Sequence, residues 1–256
     1  MDSQTAVRLP DEQLPRLMEL IRDCDSVELK LTVPEKYGRS AASALGVDPL
    51  EAHIRQVFFF DTPELALDAA GVVVRARRIQ RGKDDSVVKL RPVVPDELPA
   101  DVRRSKGFKV EVDAMPGGFV CSGSFKGRPR EGEVREAVAG RIRLSRLFSK
   151  EQREFFATHA PDGIELDDLS VLGPVMVLKL KYTPEGAARP LTVELWTYPD
   201  GGRILELSTK AAPSEAFQAV AEGRAFLIER GVPLDGEQET KTRTALEFFS
   251  RELTGA

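Results

Sequence analysis

Charged side chains recur at every second position along this chain. Glu28 and Lys30 lie in VELKLTV, Arg75 and Arg77 in VVVRARR, and Lys89 and Arg91 in VVKLR. Lys109, Glu111 and Asp113 lie in FKVEVD, Lys179 and Lys181 in VLKLK, and Glu206 and Lys210 in ILELSTK. Arg and Lys bind phosphate oxygens. Grouped carboxylates, such as Glu111 with Asp113 or Glu194 with Glu206 across a hairpin, suit Mg2+ or Mn2+, which bridge to phosphates. Together these residues are what holding a highly charged anion with its metal ions requires.

The elements that must position them are strands. Strand side chains alternate faces, so each charged set projects from one side while Val72, Val74, Val88, Leu90, Val110, Val112, Leu178 and Leu180 project from the other. The apolar faces need a cover of helices. The charged faces then point to bulk water in an open sheet, or into the lumen of a closed barrel. Strands are predicted at 27–33, 57–60, 72–79, 86–92, 107–114, 174–182, 191–198 and 203–210. The segment FVCSGSF stays ambiguous. Helices are expected over 11–22, from Thr62 to Gly71, over 131–147, over 150–158 behind a Ser149/Gln152 capping box, over 214–230 and over 238–252. Residues 93–106 read as a Pro-rich loop. The turns at 80–85 and at Pro199-Asp200-Gly201-Gly202 imply hairpins and antiparallel pairing.

Composition limits the function. The chain has 256 residues, 30% of them charged, and a formal net charge of −4. That mildly acidic balance argues against general nucleic-acid binding and makes any anion site local. Two cysteines, Cys24 and Cys121, and no visible signal segment point to free thiols in a reducing, cytoplasmic setting. No stretch approaches the roughly 18 apolar residues of a membrane span. His53 and His159 are isolated, which argues against a histidine zinc site or a Ser-His-Asp triad. Asp61 reads as a structural residue ahead of a helix start.

The segments VELKL, FFFDTPELALDAAGVVVRARR, VVKLR, VLKLKY and TVELWTYPDGGRILELSTK, with KTRTAL near the end, resemble the CYTH family of triphosphate tunnel metalloenzymes. The resemblance runs in order from about residue 26 to 248. It implies an α+β fold: an antiparallel eight-stranded β-barrel tunnel with helices packed outside. It also implies a single tunnel domain over 1–256 whose first 25 residues form a helical extension. By position, Glu28 and Lys30 match the second glutamate and the lysine of an E-x-E-x-K signature and take the catalytic place. Arg75, Arg77, Lys89, Arg91, Lys109, Lys179, Lys181 and Lys210, with the C-terminal pair Lys241 and Arg243, take the phosphate-binding places. Glu111, Asp113, Glu194 and Glu206 take the metal-binding places for Mg2+ or Mn2+.

The implied partner is a triphosphate or polyphosphate, and the implied activity is metal-dependent hydrolysis of its terminal phosphate. Ser26 stands where the signature has its first glutamate, Ser208 where strand 203–210 has its second acid, and Trp196 where an acid is often found. A class IV-type adenylyl cyclase and a polyphosphate binder with weak turnover therefore stay open beside the hydrolase. So does a homodimer.

Overall fold

The computed structural model describes residues 13–234 and 241–255. The chain begins with α1 (Gln13–Arg22), which leads into β1 (Ser26–Val33). A short helix α2 (Gly38–Ala44) precedes β2 (His53–Asp61), which starts well before the apolar run expected at 57–60. The helix expected from Thr62 shrinks to α3 (Ala66–Ala69). Asp61 sets this turn: the amides of Thr62 and Leu67 donate to its Oδ1 (2.7 and 2.8 Å), and that of Asp68 to its Oδ2 (3.0 Å).

β3 (Val72–Ile79) and β4 (Asp85–Leu90) form the expected hairpin. The loop over 93–106 contains α4 (Ala100–Arg104) before β5 (Phe108–Met115). The ambiguous FVCSGSF segment lies in β6 (Gly118–Gly127). Its glycine has a packing cause, since a Cβ on Gly123 would meet the Phe108 ring at 2.8 Å. The helix expected over 131–147 is only α5 (Glu133–Val138), followed by a 3-10 turn. α6 (Lys150–His159) carries the Ser149/Gln152 capping box. β7 (Ser170–Tyr182), the hairpin β8 (Leu191–Thr197) with β9 (Arg203–Ala211), α7 (Ala216–Glu229) and α8 (Lys241–Thr254) complete the described chain.

The strands close into a barrel in the order β1-β5-β6-β4-β3-β2-β7-β8-β9, with β9 returning to β1. Two features differ from the sequence expectation. There are nine strands among the described residues, because β6 is one of them. The barrel is also mixed, because β1 pairs β5 in parallel, with Ser26 opposite Glu111 and Glu28 opposite Asp113. Hairpin signals between sequence neighbours cannot reveal a pairing whose partners are some 85 residues apart.

The apolar strand faces point outward under the helices. Val27, Val72, Val74, Val88, Val110 and Val112 pack with Leu17, Ile21, Val134, Phe155 and Phe156. Inside, the two ends of the bore differ. Ala245 and Leu246 of α8 pack at the end holding Val73, Leu172 and Ile204 and stop the barrel there, in an apolar cluster that runs from Phe59, Val175 and Trp196 along β2 and β7 to Val57 and Val177. The other end, where β1 and β5 begin, carries the exposed Lys109, Lys126, Lys181 and Lys210 and is the solvent-facing mouth.

Asp61 holds three backbone donors while being only 1% exposed. Asp61→Ala is expected to cost about 2 kcal/mol in urea unfolding, by leaving those buried donors unpaired. An unchanged midpoint would contradict this structural role.

Candidate anion-binding tunnel

Cross-strand partners share a face, so the register decides which charges meet. Glu28 pairs Asp113 and Lys210, Lys30 pairs Ser208, and Thr32 pairs Glu206. Glu206 pairs Glu194, which pairs Lys179. Arg75 pairs Phe59 and Val87, Arg77 pairs Val57 and Asp85, and Lys89 pairs Val73 and Ser124. Phe59 and Val57 belong to the apolar cluster inside the barrel. The charged residues beside them therefore line the bore rather than the outer surface.

The bore is held by lysines bridging carboxylates from different strands. Lys30 Nζ lies 2.9 Å from Asp113 Oδ1 and 3.3 Å from Glu28 Oε2. Lys89 and Arg91 approach the other oxygen of Asp113 at 3.7 and 3.8 Å. On the adjoining wall across the β1–β9 seam, Lys241 Nζ sits 2.5 Å from both Glu194 Oε2 and Glu206 Oε1, while Lys179 Nζ reaches Glu194 Oε1 at 2.6 Å. Trp196 donates its indole N–H to Glu194 Oε2 (3.1 Å), and Lys241 Nζ lies 4.9 Å from that ring's centroid. Nearer the mouth, Arg77 donates twice to Asp85 (2.7 and 2.6 Å), and Lys126 adds a contact at 3.2 Å.

The two serines are anchors for acids. Ser208 donates to Glu28 Oε1 (3.1 Å) and Ser26 to Glu111 Oε1 (3.3 Å), the same oxygen that Lys210 contacts.

The charge states follow from these contacts. Burial pushes the Asp113 carboxyl up, but the nearby charges of Lys30 and Lys89 outweigh it and hold it at about 2. The Asp85 carboxyl also stays at about 2, because its bonds to Arg77 overcome burial. Glu194 is held well below the usual range by Lys241 and Lys179, against its burial. Burial lowers the Lys89 ammonium to about 8, with Asp113 opposing and Lys30 adding to the effect.

Arg75 is different. Its Nε is buried without a hydrogen-bond partner, and burial followed by the like charge of Arg77 pushes its guanidinium down to about 10. The fields of Asp85, Glu194 and Glu28 all reach it, so it sits between facing walls of the bore.

The structure does not gather every residue singled out by the sequence. Lys109 lies at the rim, 64% exposed, 3.6 Å from Asp25. Lys181 is also exposed at the mouth. Lys210 is half exposed and holds Glu111 there. Arg243 lies outside the bore on α8, 71% exposed and paired with Glu247 at 2.7 Å, because the helix turns it away from the face that carries Lys241. Conversely, Arg55 and Asp85 belong to the bore and were not anticipated. Arg55 precedes the apolar run expected to form a strand at 57–60, and Asp85 closes the turn expected at 80–85. The register opposite Arg77 would have found Asp85.

A free divalent ion has no ready cage here. Among the described residues, no three Asp, Glu, His or Cys side chains converge to hold one. The pair Glu194 and Glu206 does present hard oxygens across adjacent strands, and Mg2+ commonly binds one or two carboxylates plus substrate phosphates. The donor set fits an ion that arrives with phosphate oxygens.

The barrel has solved counterparts. HpAC1 from Hippeastrum, described as an adenylyl cyclase candidate with a dominant triphosphatase activity, aligns with a TM-score of 0.62 at 19% identity, covering 86% of this chain and 95% of that one. An adenylate cyclase candidate from Bacillus halodurans aligns with a TM-score of 0.59 at 14% identity, covering 85% of this chain and 96% of that one. Likeness at this identity carries the fold. No protein-family model and no curated protein matches the sequence. The barrel with external helices expected from the resemblance is the fold of this chain.

A carboxyl depressed by folding contributes stability that is present above its unfolded value and is lost as pH falls to its folded one. Asp85 and Asp113 should therefore make stability fall between pH 3.8 and about 2. Urea midpoints measured across that range should drop steeply for the native chain and less steeply for Asp113→Asn. Equal slopes would contradict the assignment for Asp113.

Proposed function

We propose that this chain is a CYTH-type tunnel protein that binds a triphosphate in its bore and hydrolyses the terminal phosphoryl group. The observation that carries the reading is Arg75, a buried cation without a counter-ion, facing lysines whose partners are protein carboxylates. A buried unpaired charge is costly, and a bound anion removes the cost. Arg75, Lys89, Arg91 and Lys30 would neutralise the phosphoryl oxygens and hold the chain in line.

Phosphoryl transfer depends mainly on such positioning and charge stabilisation. Glu28 is fixed by Ser208 and Lys30, and its carboxyl is lowered: burial opposes, but Lys30 prevails. A carboxylate of low proton affinity orients water better than it stores a proton. When bound, Mg2+ or Mn2+ held by Glu194 and Glu206 would neutralise phosphoryl charge and polarise the reacting group. The dominant triphosphatase activity named for the Hippeastrum counterpart favours hydrolysis over cyclisation.

The free, buried Cys24 and Cys121 suit a cytoplasmic setting. Among the described residues no helix is long and apolar enough to cross a membrane. A binder with weak turnover is the second reading. It is favoured because Ser26 and Ser208 supply hydroxyls where carboxylates were expected, and because the remaining acids are engaged by lysines.

Incubation with tripolyphosphate, thiamine triphosphate and ATP, with Mg2+ or Mn2+, separates the readings. Released phosphate is expected. Cyclic AMP would indicate a cyclase, and tight binding without turnover would indicate a binder. Arg75→Ala should weaken tripolyphosphate binding about 10- to 100-fold with little change in thermal midpoint, since the side chain has no protein partner to lose. An unchanged affinity would overturn this role. Lys89 binds the anion only when protonated, so affinity should fall as pH rises through about 8. Lys89→Arg should flatten that profile relative to the native chain, and an identical profile would contradict the assignment.

A further inference from the structure

We infer that Arg55 is a second anion-binding residue of the bore, placed to take the part of an extended polyphosphate nearest the open mouth and so to set chain-length preference. The inference rests on the triphosphate reading and sharpens it.

Arg55 lies on β2 opposite Ile79 of β3 and Val177 of β7. It shares the inward register with Val57 and Phe59, the partners of Arg77 and Arg75. Each inward step along a strand is roughly 7 Å, so Arg55 sits two steps, roughly 13 Å, nearer the mouth than Phe59. A pyrophosphate held at Arg75 falls short of it. A longer chain, met by two flexible guanidinium arms, spans both.

The chemistry at Arg55 is that of a site awaiting an anion. Its Nε is buried without a hydrogen-bond partner, and Arg55 and Arg75 are the only bore cations among the described residues in that condition. The acids whose fields reach it are already engaged: Asp85 accepts both bonds of Arg77, and Glu194 holds Lys179, Lys241 and Trp196. Burial, and then the like charge of Arg77, lowers its guanidinium from the usual value. Protein groups alone do not relieve that cost, whereas a phosphoryl oxygen would.

The test is calorimetric titration of the full chain with tripolyphosphate and with pyrophosphate, in EDTA so that no divalent ion intervenes. Arg55→Ala should weaken tripolyphosphate binding about 10-fold and change pyrophosphate binding less than about twofold. Arg75→Ala should weaken both. Arg55→Lys, which keeps the charge and loses the planar fork, should fall between the native chain and Arg55→Ala. Because Arg55 has no protein partner, its variants should melt at or above the native temperature.

Equal losses for the two anions, no loss for either, or a lowered melting temperature would overturn the inference. A native chain that binds neither anion would sink the triphosphate reading and this inference with it. Native binding with an Arg55→Ala variant that behaves like the native chain would sink the inference alone.

Discussion

The constraint that governs this molecule is the pairing of charge inside a closed barrel. Alternation sends every second side chain of each strand into the bore, and in this sequence many of those side chains are ionic. Removing them from water is costly unless partners converge. The closure of β9 on β1 and the parallel seam of β1 with β5 bring those partners together. Lys30 ties β1 to β5 through Asp113, and Lys241 ties α8 to the β8–β9 hairpin through Glu194 and Glu206. Such contacts add little net stability compared with apolar packing, but breaking one by removing a single partner strands a charge. The barrel is therefore specified by its ionic interior as well as by its greasy exterior.

The same arrangement explains how the interior can serve a ligand. The pairing is incomplete, and both oxygens of Asp113 are buried without a hydrogen bond although cations lie near them. Arg75 has no protein partner, and Lys89 and Arg91 approach Asp113 only at 3.7 and 3.8 Å. In the proposed function, a polyanion entering from the mouth would complete the set. It would do so by exchange, taking up lysines that are bridged to carboxylates in this structure. The apolar plug of Trp196, Ala245 and Leu246 closes the far end, which lowers the local dielectric and strengthens every charge contact within. On the proposed function, the site would owe its chemistry to preorganised charge, with no nucleophile required on the protein.

Much of this was legible from residue order because the period of two is a strong signal. The inward placement of Lys30, Arg75, Arg77, Lys89, Glu194 and Glu206 follows from alternation alone, given a closed sheet. Three things were hidden for physical reasons. The β1–β5 seam joins strands distant in sequence, so no turn announces it. β6 is disguised by its serines and by Gly123, where the Phe108 ring leaves no room for a Cβ. The difference between bore and rim depends on depth along each strand, which alternation does not encode. Lys109 thus shares a face with Asp113 yet lies in solvent, while Arg55, at the start of a strand whose apolar run begins later, lies inside. On α8 the helical turn separates Lys241 from Arg243, although a sequence reading treats them as a pair.

The most direct measurement is the diffraction structure of crystals soaked with tripolyphosphate. The account predicts phosphorus density inside the bore, in contact with Arg75 on one wall and Lys30 on the other, with Lys241 drawn away from Glu194 and Glu206 toward the anion. An anion confined to the rim lysines, with the buried bridges intact and Arg75 still bare, would contradict it.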